Sequence, residues 1–144
     1  MKVGIIGLGR MGEGMSRRMM KAGIEVWGYR RNYKKAEEAF EKGYVSGVST
    51  DLKNLVNVVK STKAIYGEKS GETVHVKTSG IFQLVIPAEL VEDTINELLP
   101  LLGDGDIIID HGNSNFKDSR RRAERLSKYG IQYIDCGTSG GVYG

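Results

Sequence analysis

Apolar residues in this chain fall into short runs divided by stretches with helical spacing. Residues 2–6, 24–29 and 81–86 read as strands, the last ended by Pro87. Residues 106–109, an aspartate followed by three isoleucines, and residues 131–134 read the same way, and 45–48 gives a weaker third strand. Helical spacing fills the gaps. Residues 10–21 set Met11, Met15, Met19 and Met20 on one side, and Ala22-Gly23 is a good C-terminal stop. Residues 34–41 are helical by propensity. Asp51 is placed to N-cap a short helix through Val58. Residues 89–99 carry Leu90, Val91, Ile95, Leu98 and Leu99, and 117–129 form a very basic helix. Strand and helix alternate, which implies a parallel sheet with right-handed crossovers and helices on both faces. The unalternating isoleucines suit a parallel strand covered on both sides. One region breaks the pattern: "TKAIYGE" and "ETVHVKT" alternate polar and apolar residues around "KSG". The expected fold is therefore α/β, a doubly wound and mostly parallel sheet with a β-hairpin inserted at about 60–80.

Length and charge narrow the picture. The chain has 144 residues, enough for one domain with a real core. Its net charge of +3 does not argue for nucleic acid or a membrane surface as partner. No run approaches the ~20 apolar residues of a membrane span. The single cysteine, Cys136, excludes an internal disulfide and points to a reducing, cytoplasmic setting. No metal-ligand pattern is seen.

Five glycines lie between Gly4 and Met15, where the first strand and helix should form. Gly7, Gly9 and Gly12 match G-x-G-x-x-G, and here the pattern follows a strand and opens a helix. Gly7 permits a tight turn, Gly9 clears space for a pyrophosphate, and Gly12 lets the helix lie close to the strand. The helix N-terminus then offers unpaired N–H groups and a positive dipole end to the phosphates. This is the fingerprint of a Rossmann-like dinucleotide fold. Folds of this kind that bind NAD carry an acid at the end of the second strand, about 20 residues on, for the ribose 2′-OH. This strand ends "VWGYRRN" with no acid at its tip. Arg30 and Arg31 stand there, and a guanidinium clamps a phosphate bidentately. The expected cofactor is NADP rather than NAD. The plain alternative is a solvated basic turn, since Lys34 and Lys35 follow.

Two further motifs sit at strand ends, the edge where ligands bind in open α/β sheets. "DHGNSN" offers Asn113, Ser114 and Asn115, neutral groups suited to a polyol or a carboxamide. "DCGTSGG" offers backbone N–H groups at Ser139, Gly140 and Gly141. A turn followed by an N-capped helix explains the first string equally well.

Together, "GIIGLGRMG", "DIIIDHGNSNFKD…RRAERL" and "GIQYIDCGTSGGVYG" resemble the N-terminal domain of the decarboxylating 6-phosphogluconate dehydrogenases, within the β-hydroxyacid dehydrogenase superfamily. The likeness covers the chain except about residues 60–80. It implies that Gly7, Leu8, Gly9, Arg10, Met11 and Gly12 form the cofactor loop, that Arg30 and Arg31 read the adenosine ribose, and that Val85, Ile86 and Pro87 lie beside the cofactor. It implies that Asn113 is shared between nicotinamide and substrate, and that Ser139, Gly140 and Gly141 bind substrate. The implied substrate is 6-phosphogluconate, oxidised and decarboxylated to ribulose 5-phosphate in the pentose phosphate pathway. Sister readings are a related dehydrogenase for another small acid, or a non-catalytic NADP-binding module. The family's catalytic lysine and glutamate, and its dimerising helices, belong to a C-terminal helical domain outside these residues. Residues 1–144 alone are therefore expected to bind cofactor without turnover, and a homodimer is expected only of the full-length parent. His111 stands where the family usually has glycine, and is read as structural.

Overall fold

The computed structural model describes residues 1–61, 63–66, 73–76 and 78–138. The first half runs β1 (Lys2–Ile6), α1 (Arg10–Lys21), β2 (Glu25–Tyr29), α2 (Tyr33–Glu41), β3 (Gly47–Ser49) and α3 (Leu52–Val59). A hairpin, β4 (Lys63–Tyr66) and β5 (Thr73–Val76), follows. Then come β6 (Ile81–Leu84), α4 (Ala88–Leu98), β7 (Ile107–Asp110), α5 (Phe116–Ser127) and β8 (Gln132–Asp135). Six strands pair in parallel in the order β3-β2-β1-β6-β7-β8. The chain steps outward from β1 to β3, returns to the middle, and steps outward the other way. The crevice above β1 and β6 is thus the topological switch point, where doubly wound sheets bind ligands.

Alternation along the central strands explains the two cores. Ile5 and Val26 face one side, where they join Ala36 and Ala39 of α2 and are covered by Met15, Met19 and Met20 of α1. Ile6, Phe82, Leu84 and Ile108 face the other side, against Leu55 and Val59 of α3, Ile95 and Leu98 of α4, and Leu126 of α5. The expected helices on both faces are present. Burying this much apolar surface, at about 25 cal/mol per Å2, is the main force holding the layers together. The methionine stripe holds for three of its four members, because Met11 is 41% exposed at the first turn of α1. The isoleucine strand is covered unequally: Ile108 is fully buried and Ile107 and Ile109 only partly.

The inserted hairpin is present, with Lys63 opposite Val76 and Tyr66 opposite Thr73. It forms its own antiparallel two-stranded sheet rather than an edge of the main one. At the foot of β7, buried Asp106 accepts from the Gly80 and Gly103 backbone N–H groups and pairs with Lys60. That cluster ties the end of α3 to the starts of β6 and β7. Strand ends shift by a residue or two from expectation: β3 begins at Gly47, and β6 stops at Leu84. Val85 nevertheless stays in line, its N–H donating to Ile6 O at 2.8 Å.

Candidate functional site: a dinucleotide crevice at the switch point

The turn after β1 is built by its glycines in three different ways. Gly7 has φ +104°, a region L side chains avoid, and a Cβ there would lie 2.2 Å from Val85 O. Gly12 lies against the same turn, where a Cβ would meet Gly7 O at 2.0 Å. Both positions are therefore glycine because the chain's own backbone occupies the space. Gly9 differs. Its backbone is extended (φ −91°, ψ −171°), and a Cβ there would meet nothing within 4 Å. Neither dihedral preference nor packing within the chain demands glycine at position 9, so its open space is where a ligand can approach the backbone. Gly9 also caps α1 with no side-chain cap bond, leaving the first-turn N–H groups free for an anion.

The crevice encloses about 320 Å3. It gathers Gly7, Leu8, Gly9, Arg30, Arg31, Val85, Ile86 and Pro87 from the sequence-based set. Gly12 lies beneath the turn rather than in the crevice. Arg10 and Met11 are exposed at the start of α1 and do not line it. Tyr29, Leu90 and Thr94 line it as well, and the sequence reading missed them. Leu90 and Thr94 lie one turn apart on α4, and Thr94 Oγ1 donates to Leu90 O at 2.8 Å. Their spacing is visible in the sequence, but only the fold brings this turn to the crevice that Tyr29 also lines.

The two arginines separate in role. Arg30 donates from Nη1 to Leu8 O at 2.7 Å. Arg31 is exposed, and among the described residues no side chain or carbonyl engages its guanidinium. Asn32 behind them caps α2, its Oδ1 accepting from Lys35 N.

The second strand-end loop is held by a buried polar network. Asp110, fully buried, accepts from Gly112 N at 2.8 Å, Ser114 Oγ at 2.6 Å and Tyr133 Oη at 2.5 Å. Arg122, only 5% exposed, places Nη1 3.6 Å from Asp110 and donates to Ser114 Oγ and to Glu92. Burial is the largest single influence and works against the Arg122 charge, but the interactions with Glu92 and Tyr133 together outweigh it and its pKa is raised. Burial, reinforced by the bond to Asp110, pushes the Tyr133 phenol up to about 12. Ser114 thus belongs to the scaffold, and Asn115 caps α5 by accepting from Lys117 N. Of "Asn-Ser-Asn", Asn113 and Asn115 are both exposed; Asn115 is spent on the helix cap, which leaves Asn113. It sits at φ 54°, a conformation asparagine tolerates better than most residues. Its Nδ2 donates to Thr138 O at 2.9 Å and its Oδ1 accepts from Thr138 N at 3.0 Å, clasping the two strand-end loops together. Each amide atom retains one further bonding site for a ligand. Ser139, Gly140 and Gly141 lie outside the described residues.

His111 is 8% exposed, with Nε2 donating to Gln83 Oε1 at 3.1 Å, and Gln83 in turn reaching Met19 Sδ. Burial holds its imidazole below the ordinary range, and the Asp110 carboxylate only partly offsets this. A larger cleft of about 460 Å3, between Met1, Lys2, Glu25, Ser61 and Ser79, lies at the other end of the parallel strands, away from the edge that binds ligands in such sheets.

Known proteins match this arrangement along its whole length. Residues 2–144 fit the family described as the NAD binding domain of 6-phosphogluconate dehydrogenase. The decarboxylating 6-phosphogluconate dehydrogenase of Candida albicans is 37% identical over 99% of this chain and 25% of its own. The Bacillus subtilis protein YqeC, provisionally named a 6-phosphogluconate dehydrogenase, is 31% identical over all of this chain and 42% of its own. The chain thus spans less than half the length of these relatives. The 6-phosphogluconate dehydrogenase of Plasmodium falciparum, solved with its cofactor NADP+ and with its substrate, superposes with a TM-score of 0.76 at 28% identity, over 98% of this chain and 28% of its own. The glycine turn, the switch-point crevice and these matches lead to one assignment: the chain belongs to the NAD-binding domains of the 6-phosphogluconate dehydrogenase family.

Proposed function

We propose that this chain is the NADP-binding domain of a cytoplasmic oxidoreductase that converts 6-phosphogluconate to ribulose 5-phosphate and CO2. The observation that carries the reading is Gly9, the one glycine of the turn whose missing side chain clears ligand space rather than backbone space. The diphosphate rests on the Gly9 turn and the free N–H groups of α1. Arg31, exposed and unengaged, takes the phosphate on the adenosine ribose. Ile86, Pro87, Leu90 and Thr94 wall the adenosine half. Asn113 turns its remaining amide sites to nicotinamide and substrate, and Ser139-Gly140-Gly141 receives the substrate's polar end. When bound, the nicotinamide accepts a hydride from the substrate's hydroxyl-bearing carbon. The general base for that step and the acid for the next are supplied from outside residues 1–144, together with the dimer contacts. Among the described residues, no side chain in the crevice is a lysine or a carboxylate placed for either role.

The test is a turnover assay on the complete polypeptide that contains this domain. 6-Phosphogluconate should yield NADPH and CO2. Oxidation of a different 3-hydroxy acid, with none of 6-phosphogluconate, would replace the substrate. Turnover by residues 1–144 alone would overturn the division of labour.

A further inference from the structure

We infer that Arg30 is a positioning residue that fixes the Leu8–Gly9 peptide, so that Arg31 alone reads the extra phosphate. This rests on the dinucleotide reading above and divides a pair of arginines that adjacency in sequence presents as equivalent.

Three consecutive residues at the end of β2 hold the turn after β1. Gly28 leaves a notch filled by the fully buried Leu8 side chain, and a Cβ at Gly28 would lie 2.6 Å from Leu8 Cδ1. Tyr29 O accepts from Gly7 N at 3.0 Å. Arg30 Nη1 donates to Leu8 O at 2.7 Å. The first two contacts fix the side chain of Leu8 and the Ile6–Gly7 peptide. Neither fixes the peptide after Leu8.

That peptide is the vulnerable one. Rotating it changes ψ of Leu8 and φ of Gly9, and glycine accepts φ of either sign at little cost. The glycine that clears space for a ligand therefore also frees the Leu8–Gly9 peptide to turn over. The peptide is trans, so its C=O and N–H point in opposite directions. Drawing Leu8 O onto the β2 tip sends the Gly9 N–H the other way, and among the described residues no backbone carbonyl accepts from it. Turned over, the same peptide would present a carbonyl oxygen to an approaching diphosphate and repel it. A charged donor on Leu8 O is what selects the favourable orientation. With Nη1 spent in this way, Arg30 is tied to the loop backbone, while Arg31 is exposed and free to close on a phosphate.

The two roles give different signatures. The proposal is tested by titrating NADPH and NADH into the wild-type chain, Arg30→Met, Arg30→Lys and Arg31→Met. Alongside, the Gly9 amide is followed by 15N–1H NMR without ligand. Arg30→Met keeps the aliphatic stem and removes the donor. It should weaken NADPH and NADH by the same factor, about tenfold, the worth of one charge-assisted bond. It should also shift the Gly9 amide resonance. Arg30→Lys restores a single donor and should recover part of both effects. Arg31→Met should leave the Gly9 amide in place and weaken NADPH alone. The proposal is overturned if Arg30→Met weakens NADPH selectively, if it leaves both affinities at the wild-type level, or if the Gly9 amide does not move. Should the wild type bind neither nucleotide, the dinucleotide reading fails, and the Gly9 resonance still decides whether Arg30 sets this peptide.

Discussion

The three glycines of the first turn make opposite predictions when each becomes alanine. At Gly7 the added methyl group meets Val85 O at 2.2 Å, and φ of +104° is itself strained for an L residue. The strain alone costs about 1–2 kcal/mol. The clash cannot relax cheaply, because Val85 N is bonded to Ile6 O within the sheet. At Gly12 the methyl meets Gly7 O at 2.0 Å, so α1 must lift from the turn. Overpacking of this kind costs about 1–3 kcal/mol or more. Against a total stability of about 5–15 kcal/mol, both variants should melt well below the wild type. Gly9→Ala meets no atom within 4 Å and needs no unusual dihedral. Its smaller unfolded-state entropy is worth about 0.4–1 kcal/mol, and alanine's poorer capping offsets about as much. Stability should therefore stay within about 0.5 kcal/mol of wild type. Binding should weaken, because the methyl group projects into the space a diphosphate needs. Losing one or two charge-assisted bonds at about 1.5–3 kcal/mol each weakens NADPH by about tenfold to beyond a hundredfold. Urea unfolding and NADPH fluorescence titration on the same samples give both numbers. A Gly9→Ala variant that binds like wild type, or that unfolds while Gly12→Ala stays intact, would refute the reasoning.

Three further outcomes follow from the same structure. Arg122→Met leaves Asp110 buried without its guanidinium partner, and urea unfolding should show a loss of about 3–5 kcal/mol. His111 has a folded pKa below its usual 6.5, so the unfolded chain takes up the proton first as pH falls. Stability should decline as pH falls from 6.5 to the depressed folded pKa and not change on this account above 6.5; in His111→Gln that part of the slope should vanish, and an identical slope would refute it. Gly14 sits exposed inside α1 with open space around its missing Cβ, so Gly14→Ala should raise stability by about 0.5–1 kcal/mol, read as a higher urea midpoint.

How much of this was legible depends on whether a feature is local. The glycine turn could be read from sequence because strand, loop and helix are contiguous, and the roles of Gly7 and Gly12 emerged as expected. A parallel sheet with helices on both faces followed from alternation, because crossovers are right-handed, whereas the strand order came only with the fold. What escaped needed contacts across the fold. Arg30 and Arg31 look alike as neighbours, and only the approach of Leu8 O separates them. Ser114 and Asn115 looked like ligand groups, yet Asp110, Arg122 and the first turn of α5 had already claimed them. Arg122 itself lay within a run of arginines that reads as a solvated face, while the helix turns it inward to 5% exposure. The hairpin was seen, but its separation from the main sheet is set by pairing that periodicity does not encode.

One calorimetric experiment is decisive: the wild-type chain is titrated with NADPH and with NADH at the same ionic strength. A free guanidinium at Arg31 and no acid at the β2 tip should make NADPH bind at least about tenfold more tightly. Equal affinities would remove the phosphate-reading role of that tip, and heat from neither nucleotide would contradict the dinucleotide crevice itself.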